Sequence, residues 1–273
     1  MQFVYRDWMK ISPKSLLGWI LRLPLRLIPR GTVLTVRTGL NCGMKWIVGT
    51  SVHSCWLGTY ELNTQETVKP FIKPGMTVFD IGANAGFYTL AFSRLVGDRG
   101  KVWAFEPLAE NVKSLLKHVM INQLRNVTVV QAAVSSEIGI TGFQTSGHTC
   151  TGSLTEGGSY RVPTVSLDGS ITQHGLPIPD LIKIDIEGSE SSLLEGAKKL
   201  LEKKTTTLFI SLHGDDQKKR CREILEAANY RILTLGGSEL SNGQLIGNEI
   251  YAIPKLESSS ALLQDENATA KYD

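Results

Sequence analysis

What the chain lacks narrows it first. It has no uninterrupted apolar run of about 20 residues, the length that a membrane-spanning helix needs, because Arg22, Pro24 and Arg26 break its most hydrophobic stretch. A soluble, cytoplasmic protein with no transmembrane segment is the expectation. Cysteine is scarce: Cys42, Cys55, Cys150 and Cys221 lie far apart and never form the close pairs of zinc ribbons or redox motifs, so a reducing compartment is the simplest reading. An excess of one charge is also missing. The 29 Lys and Arg face 26 Asp and Glu, a formal net of +3, and their scatter excludes a dedicated nucleic-acid reader.

What is present, 273 residues of which 42% are hydrophobic and 20% charged, suits one large α/β domain with modest extensions. Residues 1–30 mix Trp8, Leu16, Leu17, Trp19 and Ile20 with Lys10, Lys14, Arg22, Arg26 and Arg30, the pattern of a broken amphipathic helix. Two readings follow. The segment is a weak peripheral anchor for a membrane or partner, or it covers a core edge or a homodimer seam, which Pro24 favours by spoiling a continuous apolar face. Gly-separated β-branched runs at 32–36 and 46–48 predict a small antiparallel hairpin or meander ahead of the main domain.

From Thr77 onward, short apolar runs alternate with helical stretches, the mark of βα units and a parallel sheet. Strands are expected at 78–81, 102–105, 127–130, 181–186, 208–212, 231–235 and 249–253, and helices at 87–96, 109–122, 190–202 and 215–228. The last two strands are separated only by a Gly/Ser/Asn-rich turn, so they form an antiparallel hairpin at the sheet edge. A polar insertion at 144–161, flanked by strand-like 140–143 and 162–165, is either a flap over the site or a plain surface loop. The division is an N-terminal helical and β-meander extension at 1–70, a catalytic domain at 71–256 and a disordered tail at 257–273.

The chemistry concentrates where an apolar strand, Val78-Phe79-Asp80-Ile81, runs into Gly82-Ala83-Asn84-Ala85-Gly86 and then a helix. Glycines let backbone approach a ligand, and a helix start offers amide donors, so a nucleoside-containing cofactor is implied. Asp80 puts a carboxylate where a dinucleotide's pyrophosphate would lie, and like charges repel in a partly desolvated crevice. S-adenosylmethionine has no phosphate and offers an ammonium and a sulfonium instead. At the end of the next strand Glu106 is placed to accept the ribose hydroxyls, in dehydrogenases and methyltransferases alike. In Lys183-Ile184-Asp185-Ile186-Glu187-Gly188, Asp185 and Glu187 are two apart and share one face of a strand end. Both would face the crevice, Asp185 near the methionine moiety or the acceptor and Glu187 orienting a hydroxyl or serving as base. The plainer reading makes them acids that compensate the dipole of the following helix.

Together these residues resemble the FkbM family of S-adenosylmethionine-dependent methyltransferases. The similarity lies in 80–90, 104–107, 164–168 and 182–188, with an upstream Gly58-Thr59-Tyr60-Glu61, and covers roughly 58–213. It implies a class I methyltransferase fold, a Rossmann-like α/β sheet of seven mostly parallel strands with the last antiparallel. It also implies methylation of an acceptor oxygen on natural products, glycans or occasionally carboxylates or peptides. Carried over by position, Asp80, Gly82, Ala83, Asn84 and Gly86 surround the methionine part, Glu106 the ribose, and Phe105 with Ala132 and Ala133 the adenine. Asn122 fits a family asparagine and also reads as a helix cap.

Methyl transfer to an alcohol needs alignment and a base. His213, just past the fifth strand, has an ordinary pKa suited to proton transfer near neutrality, and Asp185 and Glu187 compete with it. No metal ligand is assigned, although these three side chains have the donor types of a divalent-cation site. His53, His118, His148 and His174 are expected on the surface. Carboxyl- or N-methylation of a peptide or small molecule, an NAD-dependent oxidoreductase and a catalytically silent adapter are the alternatives.

Overall fold

The computed structural model describes residues 27–145, 152–241 and 246–255, together with Ser15, Leu25 and Gln244. The expected helix over 1–30 falls almost wholly outside these residues, and the tail at 257–273 entirely so. The β-branched runs near the N-terminus pair as expected: β1 (Val33–Thr35) and β2 (Lys45–Ile47) are antiparallel. Two short helices not foreseen from the sequence follow, α1 (His53–Leu57) and α2 (Leu62–Val68). Each has too few residues for a helical period to stand out.

The alternating pattern then produces β3 (Thr77–Ile81), α3 (Phe87–Val96), β4 (Lys101–Phe105), α4 (Ala109–Ile121) and β5 (Val127–Val130). A second, four-stranded sheet comes next, built from β6 (Ala133–Val134), β7 (Gly139–Thr145), β8 (Gly152–Leu154) and β9 (Tyr160–Val165), in the order β6-β9-β7-β8. The expected insertion is therefore largely β-structure. Its Gly and Thr content reads as loop because β7 pairs with β8 and β9 where glycine is sterically required: a Cβ on Gly142 would stand 2.1 Å from the Thr155 carbonyl oxygen.

After α5 (Leu167–His174) come β10 (Leu181–Ile184), α6 (Glu190–Glu195), α7 (Lys198–Glu202), β11 (Thr207–Ser211), α8 (Asp215–Ala227), β12 (Tyr230–Thr234) and β13 (Glu249–Pro254). The single helix expected at 190–202 is broken at Gly196, whose backbone packs so closely on residue 135 that a Cβ would lie 2.3 Å from the Ser135 oxygen. Asp168, from the 164–168 motif, accepts the backbone N–H groups of Lys199 and Leu200, both at 2.9 Å, so its carboxylate is spent on holding α7.

The main sheet has seven strands in the order β12-β13-β11-β10-β3-β4-β5. All pairings are parallel except those of β13, which is antiparallel to both β11 and β12. The order runs one way through β4 and β5 and the other way through β10 and β11. The carboxyl ends of β3 and β10 therefore flank the switch point where ligands bind in open α/β sheets. β10 is buried along its whole length, as a central parallel strand covered on both faces must be.

The N-terminal extension shares its core with this sheet. Val36, Trp46, Cys55, Trp56 and Val68 belong to the same buried cluster as Phe87, Tyr88, Leu90 and Phe92. Asn122 closes α4 by donating to the His118 carbonyl at 2.9 Å, and it also exchanges two hydrogen bonds with the Lys45 backbone, so it caps the helix and ties it to β2. No helix among the described residues is long and apolar enough to cross a membrane, and Cys42, Cys55 and Cys221 form no disulfide among the described residues.

Candidate functional site

A cleft of about 270 Å³ opens at the carboxyl ends of β3, β4 and β10. Asp80, Gly82, Ala83, Asn84, Phe105, Glu106, Ala132, Ala133, Asp185 and Glu187 all line it, so the structure brings the expected residues together. Of the expected set, only Gly86 and His213 stand outside the lining.

The loop after β3 is built differently from the expectation. Each N–H from Gly82 to Gly86 is satisfied internally. Gly82 and Ala83 donate to the Phe105 carbonyl, Asn84 to Glu106 Oε2, Ala85 to its neighbour's Asn84 Oδ1, and Gly86 to the Ala83 carbonyl. These amides are not free donors for a ligand. The glycines serve internal packing as well. A Cβ on Gly82 would lie 1.8 Å from the Asp185 carbonyl oxygen and one on Gly86 would lie 2.4 Å from Leu115 Cδ1, and both backbones sit at positive φ, +81° and +97°. Such positions admit glycine almost alone.

Glu106 is 4% exposed. It accepts from Asn84 N at 2.8 Å, Leu108 N at 3.0 Å and Asn111 Nδ2 at 3.1 Å. A carboxylate offers about four acceptor positions, so roughly one remains for a ribose hydroxyl unless Asn111 yields. Burial pushes the Glu106 carboxyl above its ordinary pKa, against those three hydrogen bonds. Asp80 is buried too. It accepts from the Thr89 hydroxyl at 2.5 Å and from the Thr89 backbone, which anchors the first turn of α3. Burial raises its pKa, and Lys183 and Thr89 counter part of that rise.

Lys183 is the residue that the sequence reading passed over. Its ammonium, almost sealed from solvent, lies 3.0 Å from Asp185 Oδ2 and 4.6 Å from the centre of the Tyr88 ring. Burial alone would lower its pKa, but Asp185, Glu61 and Asp80 outweigh that and hold it above the ordinary lysine value. Glu61 in turn accepts the Tyr88 hydroxyl at 2.8 Å. A charge inside the apolar run Ile182-Lys183-Ile184 was the available signal, because a central strand tolerates a buried lysine only with acids around it.

Asp185 and Glu187 do not share a strand face, since β10 ends at Ile184. A sharp turn, with Glu187 at φ +56° and Gly188 at φ +106°, brings both acids to His213 instead. His213 Nε2 is 3.5 Å from Glu187 Oε2 and 3.8 Å from Asp185 Oδ1, while Nδ1 is 2.8 Å from Glu190 Oε1. The hydrogen bond to Glu190 lifts the histidine pKa to about 9, with burial opposing and Glu187 adding to the rise. His213 thus keeps its proton to higher pH than an ordinary histidine, which works against its expected use as a neutral base. Burial, partly countered by His213, raises the Glu187 pKa. Asp185, Glu187 and His213 each present a ligand atom, and all three atoms lie within 4.8 Å of one another.

Of the remaining histidines, His53 and His174 are exposed, and His148 lies outside the described residues. His118 departs from the expectation: it is fully buried, stacked on Trp46 at 4.0 Å, accepts Ile47 N–H at Nε2 and bonds the Ala85 carbonyl through Nδ1. Burial pushes its pKa down to about 4. Trp46, Cys55 and Tyr60, from the N-terminal segment, form one wall of the cleft.

These residues fit S-adenosylmethionine. A buried carboxylate with one open acceptor position stands at the end of β4, apolar Phe105, Ala132 and Ala133 lie beside it, and Asp80 and Asp185 line the path onward. A curated protein, the hexuronic acid methyltransferase AglP of Haloferax volcanii, is 24% identical over 153 residues, which span 55% of this chain and 62% of that one. Solved structures with similar chains include the methyltransferase FkbM of Methylobacillus flagellatus, at 20% identity and TM-score 0.47, covering 65% of this chain and 43% of that one. Another is the fibrillarin of Aeropyrum pernix with bound S-adenosyl-L-methionine, at 14% identity and TM-score 0.42, covering 67% of this chain and 68% of that one. The chain thus spans less than two thirds of the length of the curated relative. Residues 80–232, more than half of the chain, match the Methyltransferase FkbM domain, a stretch that runs from Asp80 through Glu106 and Asp185 to beyond His213. The protein is therefore a member of the FkbM methyltransferase domain family.

Proposed function

We propose that the protein transfers a methyl group from S-adenosylmethionine to a hydroxyl of a small natural product or glycan, and releases S-adenosylhomocysteine. The observation that carries this reading is the continuity of one cleft from Glu106, past the 82–86 turn, to the acids Asp185 and Glu187. When bound, the cofactor supplies an electrophilic methyl: its carbon–sulfur bond breaks as a carbon–oxygen bond forms, sulfur keeps the electron pair, and the acceptor's proton passes to a carboxylate or to water. Glu106 and the apolar pair Ala132 and Ala133 would hold the nucleoside end of the cofactor. Asp185 and Glu187 orient the acceptor hydroxyl, and Glu187 receives its proton, with His213 and Glu190 fixing the position of the two acids. The donor set also suits a divalent cation that lowers the hydroxyl's pKa.

The name of the Haloferax relative makes a uronic-acid-bearing sugar the first acceptor to try, and with it carboxyl methylation becomes the second reading. The decisive assay incubates the chain with labelled S-adenosylmethionine and hexuronic acids whose carboxylate is free or amidated. Transfer to both, giving a base-stable ether, supports hydroxyl methylation. A product formed only from the free acid and cleaved by mild base supports the ester. Calorimetry with S-adenosylhomocysteine and NAD separates both from an oxidoreductase, and absence of S-adenosylhomocysteine binding would overturn the reading.

A further inference from the structure

We propose that Asp185, Glu187 and His213 bind one divalent cation of the Mn2+ and Zn2+ class at the acceptor end of the cleft, where it holds two neighbouring oxygens of the acceptor. The role assigned to the ion rests on the methyl-transfer reading, but its binding does not.

Two chain segments bring the three ligand atoms together, the turn after β10 and the residue two beyond β11. His213 Nε2 stands 3.5 Å from Glu187 Oε2 and 3.8 Å from Asp185 Oδ1. Ligand atoms about 2.1 Å from a shared ion lie roughly 3.0 to 3.4 Å apart in octahedral or tetrahedral geometry. Small side-chain adjustments therefore close the site.

Two of the three ligands, Asp185 and His213, are already held from their other side. Asp185 gives Oδ2 to Lys183 Nζ at 3.0 Å, which leaves Oδ1 turned to the imidazole. Glu190 Oε1 accepts Gly188 N–H at 2.9 Å and lies 2.8 Å from His213 Nδ1. An oxygen already accepting one hydrogen bond takes another from the ring, so Nδ1 carries the hydrogen and Nε2 faces the two acids. Such a carboxylate–histidine contact is the outer-shell arrangement that fixes the tautomer of a metal-binding imidazole.

The charge balance points the same way. Glu190 is 0% exposed, and its second oxygen has no hydrogen-bond partner among the described residues. Three carboxylates, Asp185, Glu187 and Glu190, share one imidazole and one lysine. A buried carboxylate is costly without compensating charge, and a divalent ion on the other face of the ring supplies it. Two carboxylates with one imidazole suit Mn2+ or Zn2+ better than the all-oxygen preference of Ca2+ or Mg2+. Asp185 and Glu187 line the cleft, so coordination positions face the acceptor. A vicinal diol or an α-hydroxy acid fills two of them, which makes chelating acceptors the substrate class.

The 273-residue chain, stripped with chelator and titrated with Mn2+ under paramagnetic resonance detection, should take up one ion per chain. His213→Ala should weaken that binding at least a hundredfold and Glu190→Gln about tenfold, as loss of an outer-shell partner does. S-adenosylhomocysteine affinity, measured on the same preparations, should change less than threefold, and this also certifies that the variants fold. Should His213→Ala fail that check, Glu187→Gln replaces it, with at least tenfold weaker Mn2+ binding expected. If the wild-type chain binds S-adenosylhomocysteine but neither Mn2+ nor Zn2+, or if folded variants keep wild-type ion affinity, the ion site is refuted and the cofactor reading stands. Stoichiometric ion uptake without S-adenosylhomocysteine binding would support the ion site and refute the cofactor reading.

Discussion

Lys183 and Asp185 form an ion pair, 3.0 Å from Nζ to Oδ2, in which the lysine is nearly sealed from solvent and the carboxylate opens onto the cleft. The pair joins the inside of β10 to the site. Lys183→Met would keep the apolar stem and remove the charge, leaving buried Asp80 and half-buried Asp185 without their cation. Removing one partner of a buried pair costs about 3 kcal/mol, so urea denaturation should show a loss of that order. An unchanged midpoint and slope would mean that the acids find compensation elsewhere.

Glu106 holds the loop, and it is also the residue proposed to take the ribose. Glu106→Ala strands the donors of Asn84, Leu108 and Asn111. We expect S-adenosylhomocysteine to bind at least tenfold more weakly, about 1.4 kcal/mol, with unfolding free energy lower by roughly 2 kcal/mol. Calorimetry reads the first and denaturation the second. Wild-type affinity in the folded variant would place the nucleoside elsewhere.

Two glycines at positive φ separate steric from conformational cost. Gly75, at φ +90°, has open space around its missing side chain, whereas a Cβ on Gly82 meets the Asp185 carbonyl. Gly75→Ala should cost about 1 kcal/mol from backbone strain alone. Gly82→Ala should cost roughly 3 kcal/mol or more, because the clash is with backbone. Equal losses in thermal unfolding would show that the loop yields freely.

Stability should bend with pH through two groups far from His213 in sequence. His118 has its folded pKa lowered to about 4 by burial. Its contribution is therefore present above the ordinary histidine pKa of about 6.5 and is lost as pH falls toward 4. In Glu249, burial raises the folded pKa to about 7, with Glu61 adding to the rise and Ser211 and Lys183 opposing it. The stability tied to its protonated form is present below about pH 4.5 and is lost as pH rises through 7. Glu249→Gln should flatten the decline between pH 5 and pH 8 by about 1 kcal/mol after solvent screening. A pH profile identical to wild type would contradict the burial assigned to this carboxyl.

Much of the sheet was legible because its strands are apolar runs bounded by glycine and its long helices keep a clear period. The helix expected at 87–96 is observed as Phe87–Val96. Short pieces were not legible: α1 and α2 span five and seven residues, too few for a period, and β8 spans three. At the site, residue types identified Asp80, Glu106, Asp185 and Glu187, but their uses depend on partners that spacing does not disclose. Glu190 read as an acid at a helix start, yet it is a buried partner of His213. His118 read as a surface residue because its cover comes from Trp46, 72 positions earlier.

The wall contributed by Trp46, Cys55 and Tyr60 lies ahead of residue 80, where the family match begins. Trp46 and Tyr60 both touch Phe87 edge-on, and small side chains in their place would strip that aromatic cover from it. The cleft would gape toward solvent on that side. Within this chain, then, the shape of the cleft is partly authored by residues 46–60, a stretch that the shared domain match does not include, and exchanging that stretch with a relative's is the direct way to ask whether it moves acceptor selectivity.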